Sequence, residues 1–152
     1  MDHTIFAPVT ANGIAAISVF RFSGSKSGSI LKLLIKKKKL PAERKLVLKN
    51  IFIPNSNELL DVCLICWMPS PNSFTGEETV EIHLHGSKAI IDMTFNALNS
   101  FENIRPAGPG EFTLQALKNG KLNLSQVEGL ANLINAETQA QKILADKLFS
   151  GN

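Results

Sequence analysis

From Thr79 to His85 polar and apolar residues alternate, with Thr79, Glu81, His83 and His85 on one side and Val80, Ile82 and Leu84 on the other. That is the period of a β-strand with one anchored face and one face of hydrogen-bonding groups. The apolar run from Ile14 to Phe22, bracketed by Gly13 and Gly24, reads as a buried strand whose only charge, Arg21, lies near its end. Leu46 to Ile53 and Leu60 to Met68 are further strand-like runs, and the turn residues Pro54-Asn-Ser-Asn57 between them predict an antiparallel pair. Helical spacing of apolar residues predicts helices over Ser25 to Lys39, capped by a serine, and over Lys88 to Phe101. A shorter helix is expected over Glu111 to Asn119 and is stopped by Gly120. The segment before it, Arg105-Pro-Ala-Gly-Pro-Gly110, is expected to be a loop, neither helix nor strand, because prolines and glycines break either ladder.

Ser125-Gln-Val-Glu128 has the spacing of a capping box, and Val127, Leu130, Ala131, Ile134, Ala145 and Leu148 continue an amphipathic stripe almost to the last residue. The pattern as a whole predicts an α+β fold, a mixed or antiparallel sheet with packed helices, followed by a long C-terminal helix. Two units are expected: residues 1–119 as the main domain and 120–152 as the start of a truncated helical domain. The final helix needs a neighbouring domain or a second chain to bury its stripe.

With 152 residues, 44% hydrophobic and 19% charged, the chain is long enough to bury a core. The net charge of +3 owes much to Lys36-Lys37-Lys38-Lys39. A solvated helix end or loop is the favoured reading of that run over a nucleic-acid site, because no aromatic residue is interleaved with it. Cys63 and Cys66 form a C-x-x-C without a second pair to complete a zinc site, and on a strand they point to opposite faces, so both are expected to be buried structural thiols suited to a reducing cytoplasm. The first residues lack a basic and an apolar region, and no apolar run approaches the roughly 18 residues of a membrane span. A cytoplasmic protein is therefore expected. His3, near an unanchored terminus, is given no role.

Glu81 reads evenly as a solvated acid on a wet sheet face or as an acceptor for paired N–H donors of a ring such as an aminopyrimidinone. His83 and His85 share its face, but no third ligand accompanies them, so hydrogen bonding is favoured over metal. Arg21 ends an apolar face, where a charge needs a carboxylate, carbonyls or a ligand to meet it. Lys121, after Asn119-Gly120, either points into a crevice or caps the preceding helix. A phosphate-binding loop ending at Asn119-Gly-Lys121 fails, since Gln115 and Leu122 occupy its first-glycine and Ser/Thr positions. No nucleophile elbow or catalytic triad order is present, and catalysis by this chain alone is not expected.

Six blocks in order carry a resemblance: Arg21-Phe-Ser-Gly24, Pro71-Asn-Ser-Phe-Thr-Gly-Glu77, Val80-Glu-Ile82, His85-Gly86, Pro109-Gly-Glu-Phe-Thr113 and Asn119-Gly-Lys-Leu-Asn-Leu124. Together they resemble the N-terminal part of the MnmE (TrmE) family of tRNA modification GTPases. The resemblance implies a domain that binds a tetrahydrofolate derivative, 5-formyl- or methylene-tetrahydrofolate, shares the fold of folate-dependent aminomethyltransferases, and forms a homodimer. It also implies folate contacts at Arg21, Glu81 and Lys121. In that family a helical domain follows, with an inserted GTPase domain that uses GTP, potassium and magnesium. The whole protein works with the flavoprotein MnmG on the wobble uridine of tRNA. The alternative reading is a module that only dimerises or docks the flavoprotein. Three positions depart from the pattern: Gly108 and Gln115 stand where the family has arginine, and Ser87 where it has glycine.

Overall fold

The computed structural model describes residues 3–10, 16–129 and 139, and they form an α+β fold. Six strands make one sheet: β1 (Thr4–Pro8), β2 (Ile17–Ser23), β3 (Leu46–Phe52), β4 (Leu59–Met68), β5 (Thr79–His85) and β6 (Ile104–Pro106), in the order β3-β4-β5-β2-β1-β6. Every pairing is antiparallel except β1 with β6, so the sheet is mixed.

One face is covered by α1 (Ser27–Ile35) and α2 (Lys88–Asn99). Phe20, Phe22, Ile65, Val80, Ile82 and Leu84 project from the strands into this layer and meet Leu31, Leu34 and Leu98, all essentially solvent-free. Each such side chain contributes about 2 kcal/mol of burial energy. Among the described residues the opposite face is covered only at the β1 end, where Phe112 of α3 (Glu111–Lys118) packs on Ile5 and Ala7. Toward β3 and β4 it is open, and Leu48 and Leu64, partners in the register, remain 66% and 38% exposed. Helix α4 (Leu124–Gly129) follows.

The hairpin β3–β4, the strand β5 and the helices α2 and α3 lie where the pattern predicts them. Four expectations are corrected. The N-terminus is anchored: β1 is buried along its length between β2 and β6, because its Thr4-Ile-Phe-Ala run feeds both faces of the sheet. Arg105 and Pro106 belong to a strand, β6, at the sheet edge, where a proline removes no interior ladder bond. The first helix ends at Ile35, with Lys36 left-handed at φ 54°, and no serine caps it. Instead the Glu78 carboxylate accepts the Gly28 N–H at 3.1 Å, a charge well placed at a helix N-terminus. Finally, α4 is capped two residues earlier than Ser125 implies: Asn123 and Gln126 exchange reciprocal side-chain to backbone bonds of 2.8 Å. Most of the expected long C-terminal helix lies outside the described residues.

Candidate functional site

Strands β2 and β5 are neighbours with Arg21 directly opposite Glu81, on the face away from α1 and α2. The guanidinium Nε and Nη2 donate to Glu81 Oε2 at 3.1 and 2.9 Å. Two aromatic rings hold the guanidinium: its central carbon is 5.4 Å from the Phe74 centroid and 5.2 Å from that of Phe112, both within cation–π range. With side-chain exposures of 16% for Arg21 and 23% for Glu81, the pair is shielded but reachable. Glu81 Oε1 accepts no hydrogen bond among the described residues. It lies 3.6 Å from His83 Nε2, too far for a hydrogen bond, and that buried nitrogen has no partner among the described residues.

The order of the blocks acquires a reason in space, because the Phe74-Thr-Gly-Glu77 loop is tied to two of the others. Ser23 Oγ, Thr75 Oγ1 and Thr79 Oγ1 form a buried hydroxyl chain with links of 2.7 and 3.1 Å. Asn119 Nδ2 donates to Thr75 O at 2.8 Å and to Glu77 Oε2 at 2.7 Å. Gly76, at φ +82°, packs so closely on this asparagine that an added Cβ would sit 2.7 Å from the Asn119 Cβ. Gln115 Nε2 donates to Ser23 O at 3.3 Å, while its Oε1 is buried without a partner among the described residues.

Lys121 is not brought to the pair. Its N–H donates to Ala116 O at 2.8 Å at the end of α3, and its exposed side chain makes no bond among the described residues. His85 turns elsewhere as well: Asp61 accepts its N–H at 2.9 Å and holds Nδ1 at 2.8 Å, leaving the ring mostly exposed. Cys63 faces the core and Cys66 the open face beside Glu81, so the two thiols do stand on opposite sides, but only Cys63 is buried, where burial was expected of both. Burial pushes the Cys63 thiol up to about 12; burial and then the Glu81 charge raise that of Cys66.

The departures from the family pattern have local explanations. Glu111 bonds both terminal nitrogens of Arg105, Nη2 at 2.7 Å, and also accepts the Gly108 N–H. The Arg105 hydrogen bonds, opposed in part by burial, hold the Glu111 carboxyl below its usual range. Arg105 thus supplies this loop with a cation. Ser87, at φ −73°, has no need of glycine and caps α2 by accepting the Ile90 N–H.

Phe74 and Phe112 are the site residues that the sequence pattern did not single out. Their signal was position: each is the lone aromatic inside a block otherwise made of polar residues, proline and glycine.

The chain matches the model of the GTP-binding protein TrmE N-terminus over residues 4–121. It is 47% identical to the mitochondrial 5-taurinomethyluridine-[tRNA] synthase subunit GTPB3 of Homo sapiens over 97% of the chain. It is 46% identical to the tRNA modification GTPase MnmE of Beijerinckia indica, also over 97% of the chain. A mitochondrial tRNA modification GTPase of Dictyostelium discoideum is 39% identical over 98% of it. The chain spans about 30% of the length of these relatives. No helix among the described residues is long and apolar enough to cross a membrane. The match over most of the chain makes this chain a member of the TrmE N-terminal family of tRNA modification GTPases.

Proposed function

We propose that this chain is the tetrahydrofolate-binding and dimerising domain of a GTPase that modifies the wobble uridine of tRNA. The observation that carries the reading is the Arg21–Glu81 pair between Phe74 and Phe112. It leaves Glu81 Oε1 free of hydrogen bonds among the described residues, beside the unpartnered His83 Nε2, with the unpartnered Gln115 Oε1 farther along the face. These groups fit a pterin, whose amino-pyrimidinone edge offers adjacent N–H donors to a carboxylate and whose ring suits an aromatic wall. Bound there, the folate supplies a one-carbon unit; the residues of this chain bind and orient it. Arg21 steers Glu81 by engaging one oxygen and presenting the other. Lys121, at the end of α3, suits the distant carboxylates of the same ligand.

The open face of β3 and β4, with Leu46, Leu48, Val62 and Leu64 exposed, supports self-association, since such a row is seldom left to water in a monomer. In the whole protein the GTPase domain, the flavoprotein MnmG and tRNA complete the system. Isothermal titration of 5-formyltetrahydrofolate tests the site: binding by the native chain and at least tenfold weaker binding by Glu81→Ala are expected. Equal binding by both, or none by the native chain, refutes the assignment. Sedimentation velocity tests the second part, with a dimer expected for the native chain and a monomer for Leu48→Lys/Leu64→Lys.

A further inference from the structure

The lysine run that the sequence pattern leaves as a solvated helix end or loop is part of a larger surface. The end of α1 and the β3–β4 turn enclose a cleft of about 460 Å³, with Lys32, Lys36, Lys37 and Lys38 on one side and Asn55, Ser56 and Asn57 on the other. A second cleft of about 400 Å³ shares Lys36 and Lys37 and adds Lys49 and the ring of Phe52. None of these lysines forms an ion pair among the described residues. Lys36 instead donates to Asn57 Oδ1 and lies 5.1 Å from the Phe52 centroid. With Lys39 the group holds six positive charges, more than the net +3 of the whole chain, so the rest of the molecule is net negative.

Two ordinary explanations cover only part of this. Lysines in the last turn of α1 favour its dipole, but that effect fades beyond the turn and does not reach Lys38, Lys39 or Lys49. Lysines blunt an edge strand, but β3 needs only its own Lys49 for that. The objection from sequence, that no aromatic residue accompanies the run, falls away as well. The strand β3 brings Phe52 to the lysines from another part of the chain.

We propose that this surface is where the chain meets the phosphate backbone of RNA, its lysines neutralising successive phosphates and Phe52 offering a ring to an unstacked base. The proposal rests on the reading that the chain serves tRNA. It places an RNA contact on the β3 side of the sheet, apart from the Arg21–Glu81 pair. Polar amides and a hydroxyl at Asn55, Ser56 and Asn57 offer hydrogen bonds to sugar and phosphate oxygens.

The test is fluorescence anisotropy of labelled, unmodified tRNA against the native chain and Lys32→Gln/Lys37→Gln/Lys38→Gln/Lys49→Gln, from 50 to 200 mM salt. The variant is expected to bind at least tenfold more weakly, with the slope of log affinity against log salt smaller by about 3. Its melting temperature and its titration by 5-formyltetrahydrofolate should match those of the native chain, which separates this surface from the folate site. Phe52→Leu should weaken binding of a single-stranded oligonucleotide more than that of a duplex of equal charge. An unchanged affinity and slope in the quadruple variant overturns the proposal. So does tighter binding of the native chain to vesicles containing phosphatidylserine, or equal displacement of tRNA by polyglutamate of matched charge.

Discussion

Replacing Gly76 by alanine tests whether contact between the Phe74-Thr-Gly-Glu77 loop and the end of α3 holds the site together. At φ +82° an L-residue sits in the left-handed region, a penalty of about 1 kcal/mol. The new methyl would also lie 2.7 Å from the Asn119 Cβ. That atom is fixed to the backbone and cannot swing aside, so the loop and the helix end must part. Parting them breaks the two bonds from Asn119 Nδ2 to Thr75 O and Glu77 Oε2, each contributing about 1 kcal/mol. The expected loss is about 3 kcal/mol, read from urea unfolding followed by circular dichroism.

The same substitution in an Asn119→Gly background separates the causes. There the opposing Cβ and the amide are both gone, so Gly76→Ala should destabilise by only the dihedral part, about 1 kcal/mol. A loss below 1 kcal/mol in the native background, or an equal loss in both, refutes the argument that packing between these two blocks sets the loop.

Two further predictions concern titration. Glu111, whose carboxyl is lowered chiefly by its hydrogen bonds to Arg105, supplies stability that is present above the ordinary carboxylate value and lost as pH falls through its folded value. Thermal melts from pH 6 to 3 should therefore steepen below about 4.5 in the native chain and flatten in Glu111→Gln, by about 1 kcal/mol in all. Cys63, pushed up to about 12 by burial, stays protonated where an unfolded thiol has ionised. Stability should fall between about pH 9 and 12, less so in Cys63→Ala, and iodoacetamide at pH 8 should label Cys66 well before Cys63.

The strands that line the site were legible because each has one face wholly in the core, and a half-buried strand writes its period into the sequence. Thr79 to His85 shows this, and so does Arg21, a charge in an apolar run that had to meet a carboxylate or a ligand. What the pattern could not show was pairing. Arg21 and Glu81 are 60 residues apart, and nothing local says that β2 and β5 are neighbours in register. The N-terminal strand escaped notice because five residues buried on both faces have no alternation to read. Strand β6 escaped because Pro106 counts against a strand everywhere except at an edge. The cap of α1 was misplaced for the same reason as the pairing: Glu78, which caps it, reaches it from 50 residues away.

The location of the pair follows from the sheet order. Strands β5 and β2 are central, so their inner residues are locked into the core by α1 and α2, and their outer residues stand on a platform that cannot shift sideways. An ion pair on such a platform loses little side-chain freedom when a ligand arrives, because Phe74 and Phe112 have already fixed the guanidinium. Phe74 rides on a loop tied down by short polar bonds, while Phe112 is held in α3 by its packing on Ile5 and Ala7. Stability and recognition are thereby divided between the two faces of one sheet. A change such as Gly76→Ala should act on ligand affinity through loop position, while leaving the β2–β5 register and the Arg21–Glu81 bond as they are.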